Sequence, residues 1–168
     1  VAARSTAGNL LSDASFSQIT AGTKWIRAFG ARSRNRLILR GSAGITWTDD
    51  FTALPPQLRF FAGGDRSVRG YGYQSIGPRN SADRVIGGHN LLVASSEIEH
   101  YFTRNWGMAA FVDAGNAFSG TDYRPKLGAG LGLRWRSPVG MIRVDLGTPI
   151  HDDRAHGIQL HLVIGPDL

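Results

Sequence analysis

The chain has 168 residues, 22 of them glycine and none cysteine, with 19% charged residues and a net charge of +6. That length suffices for one domain or for a piece of a larger one, and the missing cysteines exclude disulfides and thiolate metal sites. The basic residues are scattered along strands and turns, so no nucleic-acid partner is expected, and no run of 18 apolar residues exists to cross a membrane as a helix. The first residues lack a basic segment followed by an apolar one, so Val1 opens no signal peptide, and the sequence reads as a mature product or an internal fragment.

The dominant hydrophobic period is two, the period of a strand with two unlike faces. Eight strands are predicted, near 1–9, 14–30, 34–48, 89–103, 105–117, 124–136, 139–149 and 156–166. In the third, Leu37, Leu39, Ala43, Ile45 and Trp47 oppose Arg36, Arg40, Ser42 and Thr46. In the fifth, Trp106, Met108, Ala110 and Val112 oppose Gly107, Ala109, Phe111 and Asp113. In the sixth, Leu127, Ala129, Leu131, Leu133 and Trp135 oppose Lys126, Gly128, Gly130, Gly132, Arg134 and Arg136. In the seventh, Ile142, Val144 and Leu146 oppose Met141, Arg143 and Asp145; in the last, Ile158, Leu160, Leu162 and Ile164 oppose Gln159, His161 and Val163.

Several of these strands exceed the usual soluble length of about five or six residues and match the roughly ten-residue tilted strand that crosses a bilayer. Their connections alternate: 31–33, 103–105 and 136–138 are tight, whereas 9–13, 49–88, 118–123 and 151–155 are longer. Short turns at one end and long loops at the other characterise an outer-membrane barrel. A soluble sandwich would also alternate, but its apolar face would point to a core and its loops need not sort by length. Trp25, Trp47, Trp106 and Trp135 suit an interfacial girdle. The predicted fold class is therefore all-β, a transmembrane antiparallel β-barrel.

The longest connection holds RFFAGGDRSVRGYGYQSIGP at 59–78, with glycines and three arginines set between aromatic residues. Phe60, Phe61, Tyr71 and Tyr73 need something to pack against, so the loop is expected to fold inward. An eight-stranded barrel has an interior just wide enough for its own side chains. The loop therefore predicts a barrel about twice that size, with this chain as its C-terminal half; a closed eight-stranded barrel with an external loop is the alternative. A guanidinium in a narrow lumen needs a partner, and Asp113 and Asp145 point to the same lumen as Arg69. A forked bond from Arg69 to one of them would pin the loop to the wall. Glu97 and Glu99 share that face, where they are candidates for further partners but read chiefly as solvated lumen carboxylates. Gly63, Gly64, Gly70 and Gly72 are expected to serve tight turns and close approach to the wall, and Tyr71 to pack beside Arg69.

Other chemistry is not foreseen. GGDRSVRGYG lacks the lysine and following helix of a phosphate loop. His151, Asp152, Asp153 and His156 sit together without a recognised ligand spacing, so no metal and no cofactor are expected. No nucleophile motif is present, and the chain reads as a non-enzyme.

Three motifs in order carry a family resemblance. VRGY, at Val68, Arg69, Gly70 and Tyr71, resembles the signature of the inward-folded sixth loop of Omp85-type barrels. FVDAG, with Phe111, Asp113 and Gly115, resembles the family's F-x-D-x-G motif on its thirteenth strand, and RWRSPVGMIRVDLGTP at 134–149 resembles its penultimate hairpin. The flanks GGDRSVRGYGYQSIGP and the ending IGPDL are most similar to the TamA-type (translocation and assembly module) branch. The resemblance implies a barrel of about sixteen strands in the bacterial outer membrane, with periplasmic POTRA domains and the first barrel half lying outside residues 1–168. It further implies lipid around the barrel, unfolded β-barrel or autotransporter clients, and a TamB-like periplasmic partner. Nearby readings are a two-partner secretion pore or another Omp85 translocation pore; a passive outer-membrane channel is the reading of a different class.

Overall fold

Alternation of apolar and polar residues builds one antiparallel sheet, seen in a computed structural model that describes residues 2–6, 15–30, 33–138, 140–150, 152 and 155–165. The strands are β1 (Ala2–Thr6), β2 (Phe16–Phe29), β3 (Asn35–Thr48), β4 (Asn90–Tyr101), β5 (Trp106–Phe118), β6 (Lys126–Ser137), β7 (Gly140–Ile150) and β8 (Gln159–Gly165). All eight predicted strands are present, each hydrogen-bonded to its sequence neighbours in the order β1 to β8. Among the described residues β1 and β8 are not paired with each other, so the described sheet is open. A closed eight-stranded barrel is therefore not what forms.

Register places whole rows of like residues side by side. One outward row runs Leu37, Ile98, Ala110, Leu131 and Leu146 across β3 to β7. Ile98, Leu131, Leu146, Leu160 and Leu162 are all exposed on this face. An apolar surface of that extent is foreign to a soluble monomer and suits hydrocarbon. Trp25, Trp47 and Trp106 are also exposed, and Trp106 stacks on Trp135 with ring centroids 5.4 Å apart.

The inner face carries the opposite rows. Arg36, Glu99, Ala109, Gly132, Asp145 and His161 lie in one line from β3 to β8, and Arg40, Ser95, Asp113 and Gly128 in another. Large charged residues thus alternate with glycine and alanine, which leave room for long side chains and for a segment laid across the wall.

That segment is the 49–89 connection. It closes on itself through paired amides and carbonyls, Phe60 with Gly88 (3.0 and 2.8 Å) and Ala62 with Ile76 (2.9 Å both ways). Arg59 gathers three of its carbonyls, those of Leu54 (2.9 Å), Ile86 (3.2 Å) and Thr52 (3.1 Å). Gln18 of β2 donates to the Leu58 carbonyl at 2.7 Å and so fastens the loop to the wall. Ala62, Val68, Tyr71 and Ile76 of the loop pack with Val93 of β4 in a small apolar cluster. Phe60 is buried against Gly44, where a Cβ would collide with its ring. The loop folds inward as its aromatics require, with one exception: Tyr73 is 77% exposed, its ring beside Gly64 of the same loop instead of the wall.

Candidate functional site

The site forms where the loop tip meets the charged rows of the inner wall. Val68 is fully buried in the apolar cluster and seats the tip. Arg69, only 2% exposed, extends over β5 and β4. Its Nε and Nη2 donate to Asp113 Oδ2 and Oδ1 at 2.8 and 2.9 Å, a forked pair, and its own amide donates to Oδ2 at 3.0 Å. Its Nη1 donates to Glu97 at 2.7 Å and to Asp145 at 3.0 Å. The guanidinium carbon lies 3.5 Å from the centre of the Phe111 ring, an attractive position for a cation over a ring face. The forked bond predicted from sequence is made to Asp113; Asp145 and Glu97 add single bonds.

A second arginine sits behind the first. Arg134 of β6 is fully buried and donates to Glu99 (3.0 Å), Asp145 (2.5 Å) and Glu97 (2.6 Å). Arg40 reaches Glu97 at 3.0 Å, and Arg36 lies 3.5 Å from Glu99. Four guanidiniums, Arg36, Arg40, Arg69 and Arg134, thereby meet four carboxylates, Glu97, Glu99, Asp113 and Asp145, and the formal charges cancel. Glu97 and Glu99 are each 1% exposed. The expectation that they are chiefly solvated lumen carboxylates is corrected: Glu97 is engaged by Arg69 of the loop and by Arg134, Glu99 by Arg134 and Arg36 of the wall, and buried carboxylates persist only when paired.

Burial pulls the Arg69 guanidinium down, but the hydrogen bonds and charge of Asp113, then Glu97 and Asp145, outweigh it and hold the group above the ordinary arginine range. Arg69 therefore stays charged in any buffer. Tyr71 is buried in the apolar cluster; burial first, and then the facing Asp152 carboxylate, push its phenol up.

Gly70 has a φ of +96°, and a Cβ there would lie 2.6 Å from the Thr148 carbonyl carbon of β7. Gly63 and Gly64 share this left-handed backbone. Gly72 departs from expectation: its φ is not positive and a Cβ would meet only Ser75, at 3.9 Å, so a side chain fits. Gly115 leaves room for Val93, whose Cγ2 lies 2.8 Å from where a Cβ would stand. On β6, a Cβ at Gly128 would strike the Arg69 carbonyl oxygen, and one at Gly130 would lie 2.6 Å from the Phe111 ring.

Two contributors, Arg134 and His161, escaped the sequence reading of the site. Arg134 was placed on the inner face but not linked to the loop; its position one row from Asp145 was the available signal. Of the two glutamates read as further partners or as solvated carboxylates, Glu97 does pair with Arg69, and Glu99 pairs with Arg134 and Arg36. His161 of β8 accepts a hydrogen bond from the Gly70 amide at 3.2 Å, a contact that no local pattern announces. Among the described residues no cluster fit to hold a metal is present; Asp152 pairs with Lys126 at 2.9 Å, while His151 and Asp153 lie outside the described residues.

The comparison with protein families gives a match to the Omp85 superfamily domain over residues 1–166. The chain belongs to the Omp85 superfamily. A curated relative, the outer membrane protein assembly factor BamA of Nitratidesulfovibrio vulgaris (strain Hildenborough), is 36% identical over 110 residues, which is 60% of this chain and 14% of that protein. The crystal structure of BamA from Haemophilus ducreyi lacking POTRA domains 1–3 superposes with a TM-score of 0.73 over 88% of this chain and 34% of that one, at 24% identity. The likeness in structure shows the fold. This Omp85 chain thus spans a minor part of the length of the relatives it matches, and it is an outer-membrane β-barrel segment. The 68–71 signature and the 111–115 motif of this Omp85 barrel meet in one forked ion pair, Arg69 with Asp113.

Proposed function

We propose that this chain is the C-terminal half of a barrel of about sixteen strands that inserts or translocates other β-rich proteins at the outer membrane, without enzymatic chemistry of its own. The observation that supports it is the loop held across the inner wall by Arg69. Burying paired charges stabilises a fold poorly compared with apolar packing, but it fixes one arrangement. In a barrel that opens to a client, a seated loop defines the closed state.

The coarser reading, assembly of outer-membrane proteins, is supported by the relative named as a BamA assembly factor. The narrower reading is a TamA-type factor with autotransporter clients and a TamB-like periplasmic partner. It is supported by the residues flanking 68–71 and by the ending IGPDL.

The test is insertion of a β-barrel client into lipid vesicles carrying the full-length protein, wild type against Arg69→Ala. Insertion is expected to slow at least about tenfold, given what removing one partner of a buried pair costs. Wild-type insertion rates in the variant, with ion conductance the sole activity found, would replace this reading with the passive channel. Crosslinking in cells separates the branches: capture of a TamB-like partner supports the TamA-type reading, and its absence favours a BamA-type factor or a two-partner secretion pore.

A further inference from the structure

We propose that His161 is the positioning residue that ties the last strand to the seated loop, so that β8 and the loop tip are joined only while the tip is in place and the imidazole is neutral. The consequence for gating rests on the function proposed above; the contact itself does not.

β8 is the sheet's last strand, hydrogen-bonded to β7 alone. Leu160, Leu162 and Ile164 point to the lipid side and are exposed. Inward point Gln159, His161 and Val163, and among the described residues the bond between His161 and Gly70 is the one side-chain hydrogen bond that β8 makes. The Gly70 amide is wedged against β7: a Cβ on Gly147 would lie 2.6 Å from the Gly70 nitrogen. Gly70 is buried, and a buried amide without an acceptor is costly. His161 supplies that acceptor through Nε2, at 3.2 Å. Nε2 accepts only when it carries no proton, which leaves the ring proton on Nδ1.

Three carboxylates face the ring, Asp145 from β7, Asp65 from the loop and Asp113 from β5, together with one cation, Arg69 of the loop. Asp113 and Asp145 are already engaged by Arg69 and Arg134. A proton on Nε2 would set two donors against each other and expel the Gly70 amide. The loop tip and β8 would then lose their shared tie together and open more often, the loop still anchored by Arg69 and β8 by its ladder with β7.

Hydrogen exchange on the full-length protein in lipid nanodiscs tests this, following peptides that cover 63–77 and 159–165 and correcting for intrinsic rates. His161→Phe keeps the ring and removes the acceptor; His161→Gln places an amide oxygen near the position of Nε2 without a titrating group. His161→Phe is expected to raise opening of both segments about fivefold, the worth of one hydrogen bond, and His161→Gln to stay close to wild type. Moving from about pH 7.5 to about pH 5.5 should open both segments in the wild type and leave His161→Gln unchanged. The proposal is overturned if His161→Phe changes neither segment, if it opens one without the other, or if His161→Gln responds to acid as the wild type does. Should His161→Phe not assemble, the acid response of the wild type against His161→Gln decides. Client insertion measured in parallel keeps the two ideas apart. Coupled opening without any change in insertion sustains the contact and counts against the proposed function.

Discussion

Arg69 holds its place because its charge is shared among Asp113, Glu97 and Asp145, with the Phe111 ring beneath it. Truncating it leaves Asp113 without its ion-pair partner in a covered site, while Glu97 and Asp145 keep Arg134, and such a loss typically costs about 3–5 kcal/mol. A double-mutant cycle isolates the forked pair. Arg69→Ala and Asp113→Ala should each destabilise, and the pair should couple by about 2–3 kcal/mol, read from urea unfolding in lipid vesicles. Additive losses would mean that Asp113 is not the principal partner. The alternation of β5 made Asp113 legible as an inner-face residue, and the 68–71 signature singled out Arg69. The neutrality of the cluster was not legible, because which of several inner-face charges meet depends on cross-strand register and on where the loop lies.

At the scale of elements, the decisive feature is a glycine-lined track on β6 that receives the loop. The alternation of β6 puts its glycines on the inner face, where Gly128 faces the Arg69 backbone and Gly130 the Phe111 ring. A side chain at Gly128 collides with a backbone oxygen, which cannot swing aside. Gly128→Val should therefore unseat the loop while leaving every charged residue in place. The expected result is cleavage of the loop by an added protease at least about tenfold faster than in the wild type, with the strands still protected; one lost anchoring contact of about 1.4 kcal/mol suffices for that factor. Equal cleavage rates would show that the loop does not lie along β6. Strands were legible because a period of two needs no knowledge of neighbours. The path of a forty-residue connection was not, since its bonds to Gln18, Val93 and His161 come from distant parts of the chain.

For the whole molecule, one face of the sheet meets hydrocarbon and the other holds charge. Leu131 sits mid-strand on the outer face, 68% exposed, in the row with Ile98, Ala110 and Leu146. Leu131→Arg should destabilise the barrel in lipid by about 2–4 kcal/mol, as a cation near the bilayer midplane does, measured by reversible unfolding of the full-length protein in vesicles. A change below about 0.5 kcal/mol would place this face away from hydrocarbon. Sequence by itself determined the eight strands, their two faces, the ordering of short and long connections and the choice of Arg69 and Asp113, because each of these is written in local periodicity or in a contiguous motif. Tertiary structure alone decided that the sheet stays open between β1 and β8, that Glu97 and Glu99 are buried, and that Arg134 and His161 belong to the site. The physical reason is that burial and pairing are properties of what lies against a residue, and here that is neighbouring strands and a loop from distant stretches of the same chain.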